Sequence, residues 1–156
     1  MIRVLFVCLG NICRSPMAEG VFAHLVNQAD LATTIDVDSA GTSSWHVGEP
    51  PHPGTQRVLQ QHGIALSSTA RQVDQTDLQT ADYIVAMDRE NVRDLQRLDR
   101  HGRLNGKLHL LLDFAPAGGP RDVPDPYYDN NFDAVYRLVD GASRGLLAHI
   151  RRERGL

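Results

Sequence analysis

Four short apolar runs separated by amphipathic stretches are the feature that most restricts how this chain can fold. Ile2 to Val7, Thr34 to Val37, Tyr83 to Met87 and Leu108 to Leu112 read as strands. Pro16 to about Gln28 reads as a helix with Met17, Ala18, Val21, Phe22 and Leu25 on one face. A second helix, from about Gly54 to His62, turns Val58 and Leu59 inward and stops at Gly63. A third spans Asp88 to Leu98, and a last one runs from about Asn131 to Glu153 with Phe132, Val135, Val139, Ala142, Leu146 and Ile150 as its stripe. Gly141 and Gly145 weaken that last helix, at about 1 kcal/mol each relative to alanine. The alternating order predicts a three-layer α/β fold, a four-stranded parallel sheet with helices on both faces. Ligands in such sheets bind beyond the carboxyl ends of the strands. The loops after Cys8, Val37 and Leu112 should therefore meet at one rim, the last of them kept irregular by A-P-A-G-G-P-R-D-V-P-D-P.

At 156 residues the chain has the size of one domain, 1–156, enough to bury roughly 70% of its unfolded surface. No run approaches the ~20 apolar residues of a membrane span, and the opening run is too short for a signal peptide or anchor. A cytoplasmic location is the expectation, and two unpaired cysteines suit that reducing compartment. A net charge of −3 argues against nucleic acid as a partner, although fifteen of the sixteen basic residues are arginine. Arg151, Arg152 and Arg154 read as cations at a helix C-terminus, where the dipole favours them.

The two cysteines, Cys8 and Cys13, stand five apart in V-L-F-V-C-L-G-N-I-C-R-S-P-M-A-E. A structural zinc needs four Cys or His ligands, and no second pair exists; His46 and His52 lack ligand spacing. No metal is expected, and a permanent disulfide is unsuited to the cytoplasm. The reading as core residues fails on position for Cys8. It ends a strand just before a glycine-containing turn and a helix N-terminus, where backbone N–H groups and the dipole hold anions. Pro16 fits the first helical position and Ser15 the cap before it. Amide dipoles and Arg14 stabilise a thiolate there, which makes Cys8 a nucleophile. A nucleotide-binding P-loop is excluded, because Gly-Lys-Ser/Thr is missing.

The stretch V-C-L-G-N-I-C-R-S-P-M-A-E resembles the signature of the low-molecular-weight protein tyrosine phosphatases. The resemblance extends through D-S-A-G-T, W-H-V-G, H-G-I, A-R-Q-V, D-Y-I-V-A-M-D and D-P-Y-Y, over nearly the whole chain. It implies hydrolysis of phosphotyrosine in proteins, and of small aryl phosphates, through a cysteinyl-phosphate on Cys8, without a cofactor. The phosphate would be bound by the amides of Leu9, Gly10, Asn11, Ile12, Cys13, Arg14 and Ser15 and by the fork of Arg14, where a lysine would supply only a point charge. Asp125 of D-P-Y-Y would be general acid and then base, with Asp122 the weaker candidate. Asn11, Ser15 and Ser39 match a network that orients the loop, Asn11 adopting a left-handed conformation. Animal members commonly carry a histidine of that network where this chain has Ser68, which leaves the network looser or completed by water.

Trp45, Tyr127 and Tyr128 resemble the aromatic walls of a slot deep enough to favour phosphotyrosine over phosphoserine. Cys13 keeps two readings: a small hydrophobe under the loop, or a redox partner forming a reversible disulfide with Cys8. The implied partners are a phosphotyrosine protein, inorganic phosphate as product and, in a bacterial setting, a tyrosine kinase; no nucleic acid or membrane is implied. Three rivals stand beside this. An arsenate reductase of similar loop would need further cysteines, which the chain lacks. The phosphoarginine phosphatase branch tends to carry threonine where Ile12 stands. An idle phosphate-binding module would have no use for Cys8, Arg14 and Asp125 together.

Overall fold

The run V-L-F-V-C is apolar throughout because its strand is flanked on both sides and covered on both faces. In the computed structural model, which describes residues 1–156, β1 (Ile2–Cys8) pairs with β2 (Ile35–Gly41) from Ile2↔Ile35 to Cys8↔Gly41. On its other side it pairs with β3 (Tyr83–Ala86), which in turn pairs with β4 (Leu108–Leu110). All pairings are parallel and the order is β2-β1-β3-β4. The chain winds outward from β1 to β2, then crosses to the other side for β3. A crevice therefore opens beyond the carboxyl ends of β1 and β3.

Alternate residues of these strands feed two cores. Val4, Phe6, Val85 and Met87 face α1 (Arg14–Gln28), α2 (Pro53–Gln61) and the long C-terminal helix, and Phe6 meets Phe22 edge-on with centroids 5.5 Å apart. Leu5, Val7, Ile84 and Ala86 face the other way, onto Leu78 of α3 (Gln75–Thr80) and Leu95 of α4 (Arg89–Leu98). Each such Val, Leu, Ile, Phe or Met side chain, fully buried, contributes about 1.5–3 kcal/mol of transfer free energy. Helices thus cover both faces, as the alternation predicts. No helix is long and apolar enough to cross a membrane.

The structure departs from expectation at five places. The second strand continues four residues past Val37, because Ser39 and Ala40, poor strand formers by propensity, are buried against β1. The fourth strand stops at Leu110, and Leu111–Phe114 forms a 3-10 turn. α3 was not foreseen; an Asp74/Asp77 capping box starts it. Ser15 does not cap α1, whose first residue is Arg14 and whose cap position, Cys13, makes no side-chain bond. A four-residue helix, α5 (Pro126–Asp129), also follows the irregular loop.

The last helix, α6 (Phe132–Arg154), is unbroken despite its glycines. Gly145 has a reason to be there: a Cβ at that position would collide with the backbone carbonyl of Phe114. Glycine lets the 3-10 turn lie directly on α6, which fixes the start of the loop that carries Asp125.

Candidate active site

The loop Leu9–Cys13 is held from behind. Thr42 N–H donates to Cys8 O at 2.9 Å, Ser43 N–H and Oγ–H to Leu9 O at 3.0 Å each, His52 N–H to Ile12 O at 2.8 Å and Thr55 Oγ1–H to Cys13 O at 3.0 Å. A trans peptide points its N–H opposite to its C=O. With those carbonyls tied outward, the N–H groups of Leu9, Gly10, Cys13 and Arg14 turn to the concave side. Gly41 permits this close approach, since a Cβ there would lie 2.7 Å from Leu9 O.

Asn11 takes the left-handed conformation expected of it, with φ 57°. Its side chain is fully used: Nδ2–H donates to Ser15 Oγ at 2.8 Å and to Ser39 Oγ at 2.9 Å, and Oδ1 accepts from Arg71 N–H at 3.0 Å. Its own backbone N–H donates to Cys8 Sγ at 3.3 Å, and Ser15 Oγ lies 3.0 Å from the same sulfur. The network therefore ends on Cys8, which is buried at the tip of β1. Ser68, in place of the family histidine, donates to Glu19 Oε1 at 3.3 Å. Glu19 stands at that end of the network, accepting from Ser39 as well.

Arg14 is buried, and three acceptors aim its guanidinium. Nη1–H donates to Asp88 Oδ2 at 2.6 Å and to Val123 O at 3.0 Å, and Nη2–H to Asp125 Oδ2 at 3.4 Å. Burial works against its charge, but Cys8, the Asp88 hydrogen bond and Asp125 outweigh it and hold Arg14 above the ordinary arginine range. Asp88 is in place because its other oxygen caps α4, accepting from Asn91 N–H at 2.7 Å. Asp125 is placed by capping α5, accepting from Tyr127 N–H at 3.1 Å.

Cys8, Leu9, Gly10, Ile12, Cys13, Arg14, Asp125, Trp45, Tyr127 and Tyr128 line one cavity of about 120 Å³. Asn11, Ser15 and Ser39 lie behind it, buried. Tyr127 and Tyr128 stand edge-to-face at 5.4 Å, and Trp45, Tyr127 and Tyr128 are all exposed at the mouth. Asp122 is not among the lining residues. It forks with Arg89, with Arg89 Nη2–H donating at 2.9 Å, and that contact holds its carboxyl below the usual range, so that it is ionised and has no proton to donate. Burial, then Asp125 and Cys8, push the Cys13 thiol up to about 12 against the opposing pull of Arg14. At neutral pH Cys13 is a neutral thiol.

Three site residues escaped sequence reasoning. His46 lines the cavity, with Nδ1 2.8 Å from Glu49 Oε2; it stood in W-H-V-G beside Trp45. Asp88 was visible as a helix start, but not as the partner of a residue 74 positions away. Glu19 stands in the M-A-E of the loop stretch, but its partners Ser39 and Ser68 lie 20 and 49 residues away.

The family model for low molecular weight phosphotyrosine protein phosphatase matches residues 3–156. The chain belongs to this family. It is similar to the low molecular weight protein-tyrosine-phosphatase YfkJ of Bacillus subtilis, 46% identical over 157 residues and covering 100% of both chains. The crystal structure of YfkJ superposes with a TM-score of 0.93 at 48% identity, covering 98% of this chain and 96% of that one. The crystal structure of a Drosophila arginine phosphatase is similar as well, with a TM-score of 0.88 at 34% identity over 96% of this chain and 98% of that one. The protein is a phosphatase of the low molecular weight protein-tyrosine class, and its four-stranded parallel sheet is that of its structural relatives.

Proposed function

We propose that residues 1–156 act as one catalytic unit that hydrolyses phosphotyrosine in proteins through a cysteinyl-phosphate. The Cys8 thiolate attacks phosphorus while the bond to the tyrosyl oxygen breaks, and Asp125, protonated, donates its proton to that oxygen. Asp125 then takes a proton from water, whose oxygen attacks phosphorus. The S–P bond breaks, returning the thiolate and releasing inorganic phosphate. The fork of Arg14 and the inward N–H groups bind the phosphoryl oxygens as charge shifts among them. Trp45, Tyr127 and Tyr128 hold the aryl ring.

The observation that carries this reading is the convergence of Cys8 Sγ, Arg14 and Asp125 on one small cavity, with Ser15 Oγ and Asn11 N–H both directed at the sulfur. Ile12, apolar and buried in the cavity wall, favours a flat aromatic ester over the charged phosphoguanidinium of a phosphoarginine substrate. Cys13 lines the same cavity as Cys8, which supports a role as resolving cysteine although its raised thiol pKa slows the attack. Peroxide oxidises the Cys8 thiolate to a sulfenic acid, and Cys13 attacks that sulfur, releasing water and forming a disulfide that cellular thiols reduce. Such a cycle fits a reducing cytoplasm, and the substrate fits a cell that contains a tyrosine kinase.

The test is Cys8→Ser. It should abolish p-nitrophenyl phosphate turnover while phosphate affinity stays measurable and phosphotyrosine proteins become trapped. Substantial residual turnover would remove Cys8 from the nucleophile's role.

A further inference from the structure

Glu19 is a carboxylate that the catalytic scheme above does not use. It lies one turn beyond Ser15 on α1, so both side chains face β2. Its Oε1 accepts from Ser39 Oγ at 2.5 Å and from Ser68 Oγ at 3.3 Å. No cation is hydrogen-bonded to it. Arg71, the cation whose charge acts on it, is forked onto Asp77 and Asp38. Burial pushes its carboxyl up, and Asp38 adds to this; the hydrogen bonds from Ser39 and Ser68 and the charge of Arg71 pull the other way. A half-buried carboxylate without a cation partner contributes little to the fold at neutral pH.

The hydrogen bonds around it have a fixed polarity. Arg71 N–H can only donate, so Asn11 Oδ1 must face it and Asn11 Nδ2 must donate to both serines. Ser39 Oγ, already accepting from Asn11, sends its own proton to Glu19. Towards a Cys8 thiolate, which can only accept, Ser15 Oγ–H is the donor across 3.0 Å, with Ala40 O at 3.5 Å the longer alternative. The Arg71 N–H thus sets the direction of the bonds through Asn11, and the Glu19 carboxylate takes the Ser39 proton at the end of the network away from the sulfur.

We propose that Glu19 is a positioning residue for Cys8: by accepting from Ser39 it holds Asn11 and Ser15 in the arrangement that donates a hydrogen bond to the thiolate. This rests on Cys8 being the nucleophile. Ser68 donates to Glu19 and makes no hydrogen bond to Ser39, so the acceptor at this point is the Glu19 carboxyl itself. Without it, the Ser39 hydroxyl either leaves a buried proton unpaired or turns away from Asn11.

The test compares Glu19→Met, which keeps the bulk and removes the acceptor, with Glu19→Gln, which keeps an acceptor oxygen and removes the charge. Two rates are read in the intact protein: iodoacetamide alkylation of Cys8 at fixed pH, located by mass spectrometry, and p-nitrophenyl phosphate turnover. Glu19→Met should slow both about tenfold, the scale of one hydrogen bond to a charged group in a buried network. Glu19→Gln should recover most of that loss. Parental rates in Glu19→Met, or equal losses in both variants, overturn the proposal.

If Glu19→Met fails to fold, the pair Ser39→Ala and Glu19→Gln/Ser39→Ala replaces it. Action through Ser39 requires the double variant to be no slower than Ser39→Ala alone, and additive losses refute it. The parent protein is run alongside. A parent neither alkylated at Cys8 nor active overturns the proposed function, whereas an active parent with unaffected variants overturns this inference alone.

Discussion

Replacing Asp88 by asparagine isolates what aims Arg14. The asparagine keeps an oxygen for Asn91 N–H, so the cap on α4 survives. Its other terminal atom becomes an N–H₂ that faces Arg14 Nη1–H, and two donors cannot bond. Arg14, with only 4% of its side chain exposed, keeps Val123 O at 3.0 Å and the longer contact to Asp125 at 3.4 Å. One charged hydrogen bond of three is lost, worth about 2 kcal/mol. Because the guanidinium must meet developing charge in a fixed plane, most of that should appear in kcat/KM, as a loss of roughly 30-fold. Asp88→Ala should lose a similar amount of activity and about 1 kcal/mol more stability, because the cap goes as well. Steady-state kinetics with p-nitrophenyl phosphate and urea denaturation separate the two effects. A kcat/KM for Asp88→Asn within threefold of the parent would refute the claim that this bond aims the clamp.

Asp125→Ala should slow aryl phosphates with poor leaving groups far more than those with good ones, and equal losses across a phenol series would count against the proton-donor role. Peroxide inactivation should be reversed by dithiothreitol and accompanied by a Cys8–Cys13 linkage in mass spectra; irreversible loss without that linkage would assign Cys13 to packing alone. Gly145→Ala should destabilise by about 1–3 kcal/mol, since its Cβ meets the Phe114 carbonyl. Gly141→Ala, with nothing within 4 Å of its Cβ, should stabilise by up to about 1 kcal/mol. Thermal melts of the two variants moving in the same direction would disprove the packing argument.

Periodicity made β1, β3, α1, α4 and α6 legible, because their apolar positions alone define strands or faces. What escaped it was decided by tertiary contact. β2 reaches Gly41 through Ser39 and Ala40, whose small side chains give no strand signal until β1 lies beside them. α3 offers only Leu78 as a buried residue, too little for a helical pattern, and is started by its cap. At the site, Cys8 and Arg14 were readable because one local turn carries both. Asp125 needed the family resemblance, and Asp88 and Glu19 needed the fold, since their partners lie 74 and 20 residues away. Ser15 shows the opposite failure: a local rule made it a cap, while its hydroxyl is engaged with a sulfur seven residues back.

The outward tethering of the Leu9–Cys13 carbonyls has an evolutionary consequence. The ties come from Thr42, Ser43, His52 and Thr55, none of which belongs to the aromatic mouth. The anion cradle is pre-shaped without help from Trp45, Tyr127 or Tyr128, so a phosphoryl group pays no ordering cost for the loop. On the proposed function, substitutions at those exposed aromatics change which phosphoprotein fits while the loop beneath them stays constant, so selection tunes which tyrosine enters separately from how its phosphate is removed.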